Sequence, residues 1–151
     1  MTAGSAPAAW SPIIITDGEW AGWTIWSGDP FELHAGPFYA RKNADGRWIC
    51  AFRAEAKHMN AGGFMHGGCL MTFADYALFS IAADSLGATH SVTASLNCEF
   101  IDGARAGDLV EASGEVIRAA RSMVFVRGLV TTGGRPLLTF SGIIKKTGTR
   151  E

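Results

Sequence analysis

Residues 69–86 are apolar almost throughout, and across residues 68–83 the only charge is Asp75. Leu70, Phe73, Ala74, Ala77, Leu78 and Ile81 recur at the three- and four-residue spacing of one helical face. Met71, Phe79 and Ala82 widen that face, and Thr72, Tyr76 and Ser80 are the remaining uncharged polar positions. A helix apolar nearly all round has to be enclosed by other elements. The run falls short of the ~20 apolar residues that cross a bilayer, so the enclosure is expected to be protein.

The flanking sequence supplies strands. Residues 38–42 and 47–55 read as strands joined by Asn43-Ala44-Asp45-Gly46, whose Asp-Gly pair signals a hairpin turn. After the helix come strand-like runs at 92–101, 108–117, 122–131 and 137–145, parted by turns such as Asp102-Gly103 and Gly133-Gly134. In the third run, Met123, Phe125 and Leu129 interleave with Val124, Val126 and Val130, which reads as sheet core. Two strands, one long helix and four strands predict an α+β domain, an antiparallel sheet wrapped around one central helix.

Composition narrows the function classes. The 151 residues suit one domain. Charged residues are 18% of the chain, below the usual ~25%, so apolar surface is expected to be buried beyond one monomer's core. A net charge of −1 argues against an electrostatic grip on nucleic acid or an anionic membrane. The first basic residue is Arg41, which disfavours a secretory or transit leader. Cys50, Cys69 and Cys98 contain no CxxC, so neither a disulfide framework nor a zinc site is expected, and a reducing cytoplasm fits.

The N-terminal segment is different in character. Residues 1–12 are rich in Ala, Ser and Pro and are expected to dock loosely. Trp20, Trp23 and Trp26, three apart, would align on one side of a helical turn. They read first as a cover on the main body, with a pocket wall as the alternative. The expected organisation is a Trp-rich extension over residues 1–36, the main domain over 37–147 and a tail over 148–151.

Asp75 stands out chemically. An ionised carboxylate in apolar surroundings must be paired or hydrogen-bonded, and such groups concentrate at functional sites. The bland reading is a helix-edge residue satisfied by a neighbour. Ahead of the helix lies the Gly-rich loop Asn60-Ala61-Gly62-Gly63-Phe64-Met65-His66-Gly67-Gly68. A helix start offers unpaired N–H groups, and glycine lets a ligand carbonyl approach them, so the loop is a candidate oxyanion hole. His34, His58 and His90 are scattered and read as surface or hydrogen-bonded structural residues. Lys145, Lys146 and Arg150 read as a solvated basic tail, with contact to a ligand's phosphates as the alternative.

With Asn60, His66-Gly67-Gly68 and Asp75 at these spacings, the chain from Phe38 to Lys146 resembles the hotdog-fold acyl-CoA thioesterases of the PaaI-like type. The resemblance implies that Asp75 is the catalytic carboxylate, as base or nucleophile. It makes the Gly67 N–H the oxyanion donor, His66 its flanking residue, and Asn60 a polar group that positions substrate or water. Thr93 falls where relatives place a Ser or Thr near the carboxylate. It further implies an acyl-CoA substrate, no metal or redox cofactor, and a homodimer or homotetramer whose active site lies between protomers. An acyl-thioester dehydratase or hydratase, and a non-catalytic acyl-CoA binding module, are the alternatives.

Overall fold

The structure is a computed structural model that describes residues 12–148. Residues 1–11, expected to dock loosely, and 149–151, including Arg150 of the basic tail, lie outside the described residues. The elements in order are β1 (Pro12–Ile14), β2 (Thr24–Trp26), α1 (Pro30–Ala35), β3 (Tyr39–Lys42), β4 (Trp48–Arg53), α2 (Gly67–Ile81), α3 (Ala83–Leu86), β5 (His90–Phe100), β6 (Leu109–Ala119), β7 (Met123–Thr132) and β8 (Arg135–Gly148). The strands form one eight-stranded antiparallel sheet in the order β1-β2-β3-β4-β6-β7-β8-β5, and α2 packs against its inner face. This is the α+β hotdog arrangement that the sequence predicts.

The expected stripe is the buried face of α2, with Leu70, Phe73, Ala74, Ala77 and Leu78 at 2% exposure or less. Phe73 meets Phe38 and Phe52 at ring separations of 5.2 and 4.7 Å, an aromatic floor between helix and sheet. Two sheet glycines let the helix sit close. A Cβ on Gly142 would lie 2.5 Å from Leu78 Cδ1, and one on Gly114 would lie 3.0 Å from Ile81 Cδ1. In β7 only half of the alternating set is core: Val124, Val126 and Val130 are buried, while Met123, Phe125 and Leu129 face outward at least in part.

Two expectations change. The three Trp residues do not share a helix, because Trp26 ends β2 and Trp20 and Trp23 lie in the turns before it. Thr24 pairs with Ala40 and Trp20 stacks on Tyr39 at 4.1 Å, so this segment continues the sheet. The apolar run is also not one helix. The chain turns at Ala82, and α3 follows as a separate short helix.

The hairpin behaves as its sequence says. Asn43 Oδ1 accepts from the N–H groups of Asp45 and Arg47, each at 3.0 Å, and Gly46 takes φ +75°. On the far side, β5 pairs with β8, with a register shift between Thr93 and Ser95. Leu96 and Cys98 pack on the core beyond that shift. Thr93, of opposite parity, also turns inward, which an uninterrupted strand would forbid.

Candidate active site

Asp75 is half-buried on α2, and its Oδ1 accepts a hydrogen bond from Thr93 Oγ1 at 2.6 Å. That length belongs to a hydroxyl donating to an ionised carboxylate. Burial pushes the Asp75 carboxyl above its ordinary range, the Thr93 bond pulls it back, and the Asp29 charge raises it further. Asp75 therefore combines a base strengthened by its surroundings with one oxygen fixed by a hydroxyl.

Asp75 and Thr93 line a cavity of about 610 Å³ whose other walls include Trp26, Glu32, Tyr76 and Phe79. The N-terminal segment supplies part of it. Asp29 Oδ1 accepts from the Glu32 N–H at 3.0 Å, capping α1, and Pro30 occupies the first turn. His58 anchors the other end of α1: its Nδ1 accepts from the Glu55 N–H, so Nε2 carries the proton and donates to the Ala35 carbonyl at 2.7 Å. His58 is thus a structural histidine, as expected.

α1 brings Asp29 and Glu32 to the Asp75 cavity, and sequence reasoning missed both. Burial, with the charges of Asp29 and Asp75, pushes the Glu32 carboxyl up to about 7. A signal was available, because Asp29-Pro30-Phe31-Glu32 carries a cap, an N1 proline and an acid three residues on. Tyr76 is a second unforeseen feature. The residue is 4% exposed, and its hydroxyl is buried with no hydrogen-bond partner among the described residues. Ser80 lies beside it without completing a bond, and Cys50 and Glu32 are close enough to raise the phenol further.

The other expected residues lie at the start of α2 and in the loop ahead of it. His66 is the N-cap, and its Nδ1 accepts from the Gly68 N–H at 2.9 Å. The N–H groups of Cys69 and Leu70 go to the His66 carbonyl. The Gly67 N–H finds no acceptor among the described residues, which leaves it as the donor available to a ligand. A Cβ on Gly67 would sit 3.1 Å from the Phe100 ring, so glycine here also accommodates Phe100. Asn60 Oδ1 accepts from the Gly62 and Phe64 N–H groups at 2.8 and 3.3 Å, so this oxygen shapes the loop.

Within one chain, Asp75 meets Thr93, whereas His66 and Gly67 stand at the start of α2 and Asn60 turns the loop ahead of it. Asp75 lies eight positions after Gly67 along α2, about 12 Å at helical rise. Among the described residues no three His, Cys, Asp or Glu side chains group so as to hold a metal ion. The three cysteines are free, and no described helix is long and apolar enough to cross a membrane.

A hotdog sheet enclosing a helix that carries one carboxylate, with an open N–H at the helix start, defines the class of protein to which comparison leads. The profile of the thioesterase superfamily matches residues 62–139. A Pseudomonas aeruginosa relative named "Putative esterase PA0474" is 34% identical over 72% of this chain and 81% of its own. The chain belongs to the thioesterase superfamily. Among solved structures, a mutant of the phenylacetic acid degradation protein PaaI from Thermus thermophilus is 28% identical, with a TM-score of 0.67 over 78% of this chain and 99% of that one. A hypothetical thioesterase of Streptococcus pneumoniae TIGR4, solved with coenzyme A, shares the fold at 20% identity, with a TM-score of 0.69 over 79% and 93% of the two chains.

Proposed function

We propose that this protein hydrolyses the thioester of an acyl-CoA, with Asp75 as the base on water. The observation that carries the reading is the half-buried Asp75 carboxylate, held by Thr93 at the wall of a large, partly apolar cavity. Asp75 takes a proton from water, and the resulting hydroxide adds to the thioester carbonyl carbon. The carbonyl oxygen becomes an oxyanion and accepts from the Gly67 N–H. The C–S bond then breaks, CoA leaves as a thiolate, and the proton that Asp75 took from water passes to the thiolate, restoring the Asp75 carboxylate. Thiolate is a fair leaving group, so one base and one oxyanion donor suffice.

One carbonyl cannot touch two groups about 12 Å apart on the same helix. The reading therefore places Asp75 of one protomer opposite Gly67 of a second copy. Among the described residues no strand lies beside the outer edge of β5, and Phe100 and Ile101 at its end are each 54% exposed. Both features suit pairing of two β5 edges in a homodimer, which a tetramer can extend. In this arrangement His66 holds the helix start, and Asn60, whose Nδ2 has no acceptor among the described residues, faces the substrate or its water. The free cysteines suit a cytoplasmic setting.

The test is a thiol-release assay against aryl-, short- and medium-chain acyl-CoA, with Asp75→Asn as control. Release by the native protein and its loss in the variant support the reading. Tight binding with no release, or conversion of an enoyl-CoA without release, overturns it in favour of a binding module or a hydratase.

A further inference from the structure

The charged side chains lining the Asp75 cavity are carboxylates, set among the hydroxyls of Ser80, Thr89, Ser91 and Thr93. Asp29, Glu32 and Asp75 contribute carboxylates, and among the described residues no Lys or Arg lines the cavity. His90 is the one imidazole among them, and its Nδ1 is bonded to Thr147 Oγ1 at 2.7 Å. Tyr76 is part of the same lining, and its hydroxyl, buried and without a partner among the described residues, lies near Ser80 of the lining and Cys50 of the core, within range of the Glu32 charge. Burial first, and then the Asp29 and Asp75 carboxylates beside it, push Glu32 up to about 7.

The walls around these acceptors are aromatic. Trp26 and Tyr76 meet edge-on at 6.0 Å, and Phe79 lines the same space. Aromatic faces beside carboxylates are the surroundings that bind an organic ammonium, by cation–π attraction and by ion pairing. The carboxylates are not grouped to hold a metal ion. An ammonium brings only donors, the complement of the three carboxylates.

The geometry points to Glu32, Asp29, Trp26 and Tyr76 as the binding site for an acyl group that carries an ammonium at the end remote from its thioester. This rests on the hydrolytic reading of Asp75 and names the substrate class that its cavity selects. An acyl group ending in a carboxylate meets the carboxyl groups of Asp29 and Glu32 there and is disfavoured, which gives discrimination by repulsion as well as by fit.

The experiment separates this inference from the hydrolytic reading by using ligands that cannot be hydrolysed. Binding of the thioethers S-(6-aminohexyl)-CoA and S-heptyl-CoA to the full chain is measured by calorimetry. Hydrolysis of 6-aminohexanoyl-, heptanoyl- and adipoyl-CoA is measured alongside. The aminohexyl thioether is expected to bind about tenfold more tightly than the heptyl one, the scale of one cation–π contact with its ion pair. Glu32→Gln and, separately, Trp26→Leu are expected to erase most of that preference. The hydrolysis rates are expected to fall in the order aminohexanoyl, heptanoyl, adipoyl. Equal or weaker binding of the aminohexyl thioether overturns the inference, whatever the hydrolysis rates. A clear charge preference with no hydrolysis of any of the three esters sustains the inference as a binding property and overturns the hydrolytic reading.

Discussion

Thr93 Oγ1 donates to Asp75 Oδ1 at 2.6 Å across the space between β5 and α2, and the register shift after Thr93 turns that hydroxyl inward. The bond favours the ionised carboxylate against a burial that favours the neutral one. Thr93→Val keeps the side-chain shape and removes the donor. The acid limb of the kcat/KM profile, which follows Asp75 ionisation, is expected to move to higher pH. At neutral pH the loss is expected to be about tenfold or more, the value of a hydrogen bond to a charged group. A full pH profile of both proteins checks this.

Glu32 sets a pH dependence of folding. Its carboxyl titrates near 7 in the folded chain and near the ordinary 4.5 when exposed. Between those values the folded chain binds more protons than the unfolded one, so rising pH favours unfolding. Stability is expected to fall as pH rises from about 4.5 to about 7, and Glu32→Gln to flatten that slope. Urea midpoints at three pH values across the window measure both.

Gly67 offers a test of the oxyanion donor itself. It is the first residue of α2, where proline is tolerated, and His66 at ψ 133° suits a residue preceding proline. Gly67→Pro removes the N–H, whereas Gly67→Ala keeps it and presses a Cβ on the same Phe100 ring. The proline variant is expected to lose about 10²–10³-fold in kcat relative to the alanine variant. Chains carrying Gly67→Pro mixed with chains carrying Asp75→Asn are expected to regain activity through mixed dimers, since each dimer then has one intact site.

The close approach of α2 to the sheet is testable at Gly142. A Cβ there meets Leu78 Cδ1 at 2.5 Å and the Ser95 carbonyl oxygen at 2.9 Å. Gly142→Ala is expected to destabilise by about 1–3 kcal/mol, as overpacking does. At about 2–4 °C per kcal/mol for a chain of this size, the melting temperature drops by several degrees, which calorimetry resolves.

The fold was legible because its signals are local. The 3.6-residue stripe in α2, the Asp-Gly hairpin and the alternation in β7 are written in adjacent residues. Asp75 was legible because a lone charge in an apolar helix needs a reason. Its partner Thr93 came only through resemblance, since a strand register shift leaves no mark in Thr93-Ala94-Ser95. The cap at Asp29 is written locally, but the placing of the α1 carboxylates at the cavity is not. Their convergence on Asp75 spans more than forty residues of chain, which no local period encodes. The break at Ala82 was hidden for the opposite reason, because the residues on both sides remain helical.

The central claim is that Asp75 performs the chemistry, and the most direct measurement is thiol release by Asp75→Asn against the native chain at saturating acyl-CoA. Asparagine keeps the size and can still accept from Thr93 Oγ1. The account predicts an unchanged melting temperature or a higher one, together with a kcat lower by ~10²–10⁴, the scale of general-base catalysis. Full turnover by the folded Asp75→Asn protein would contradict it.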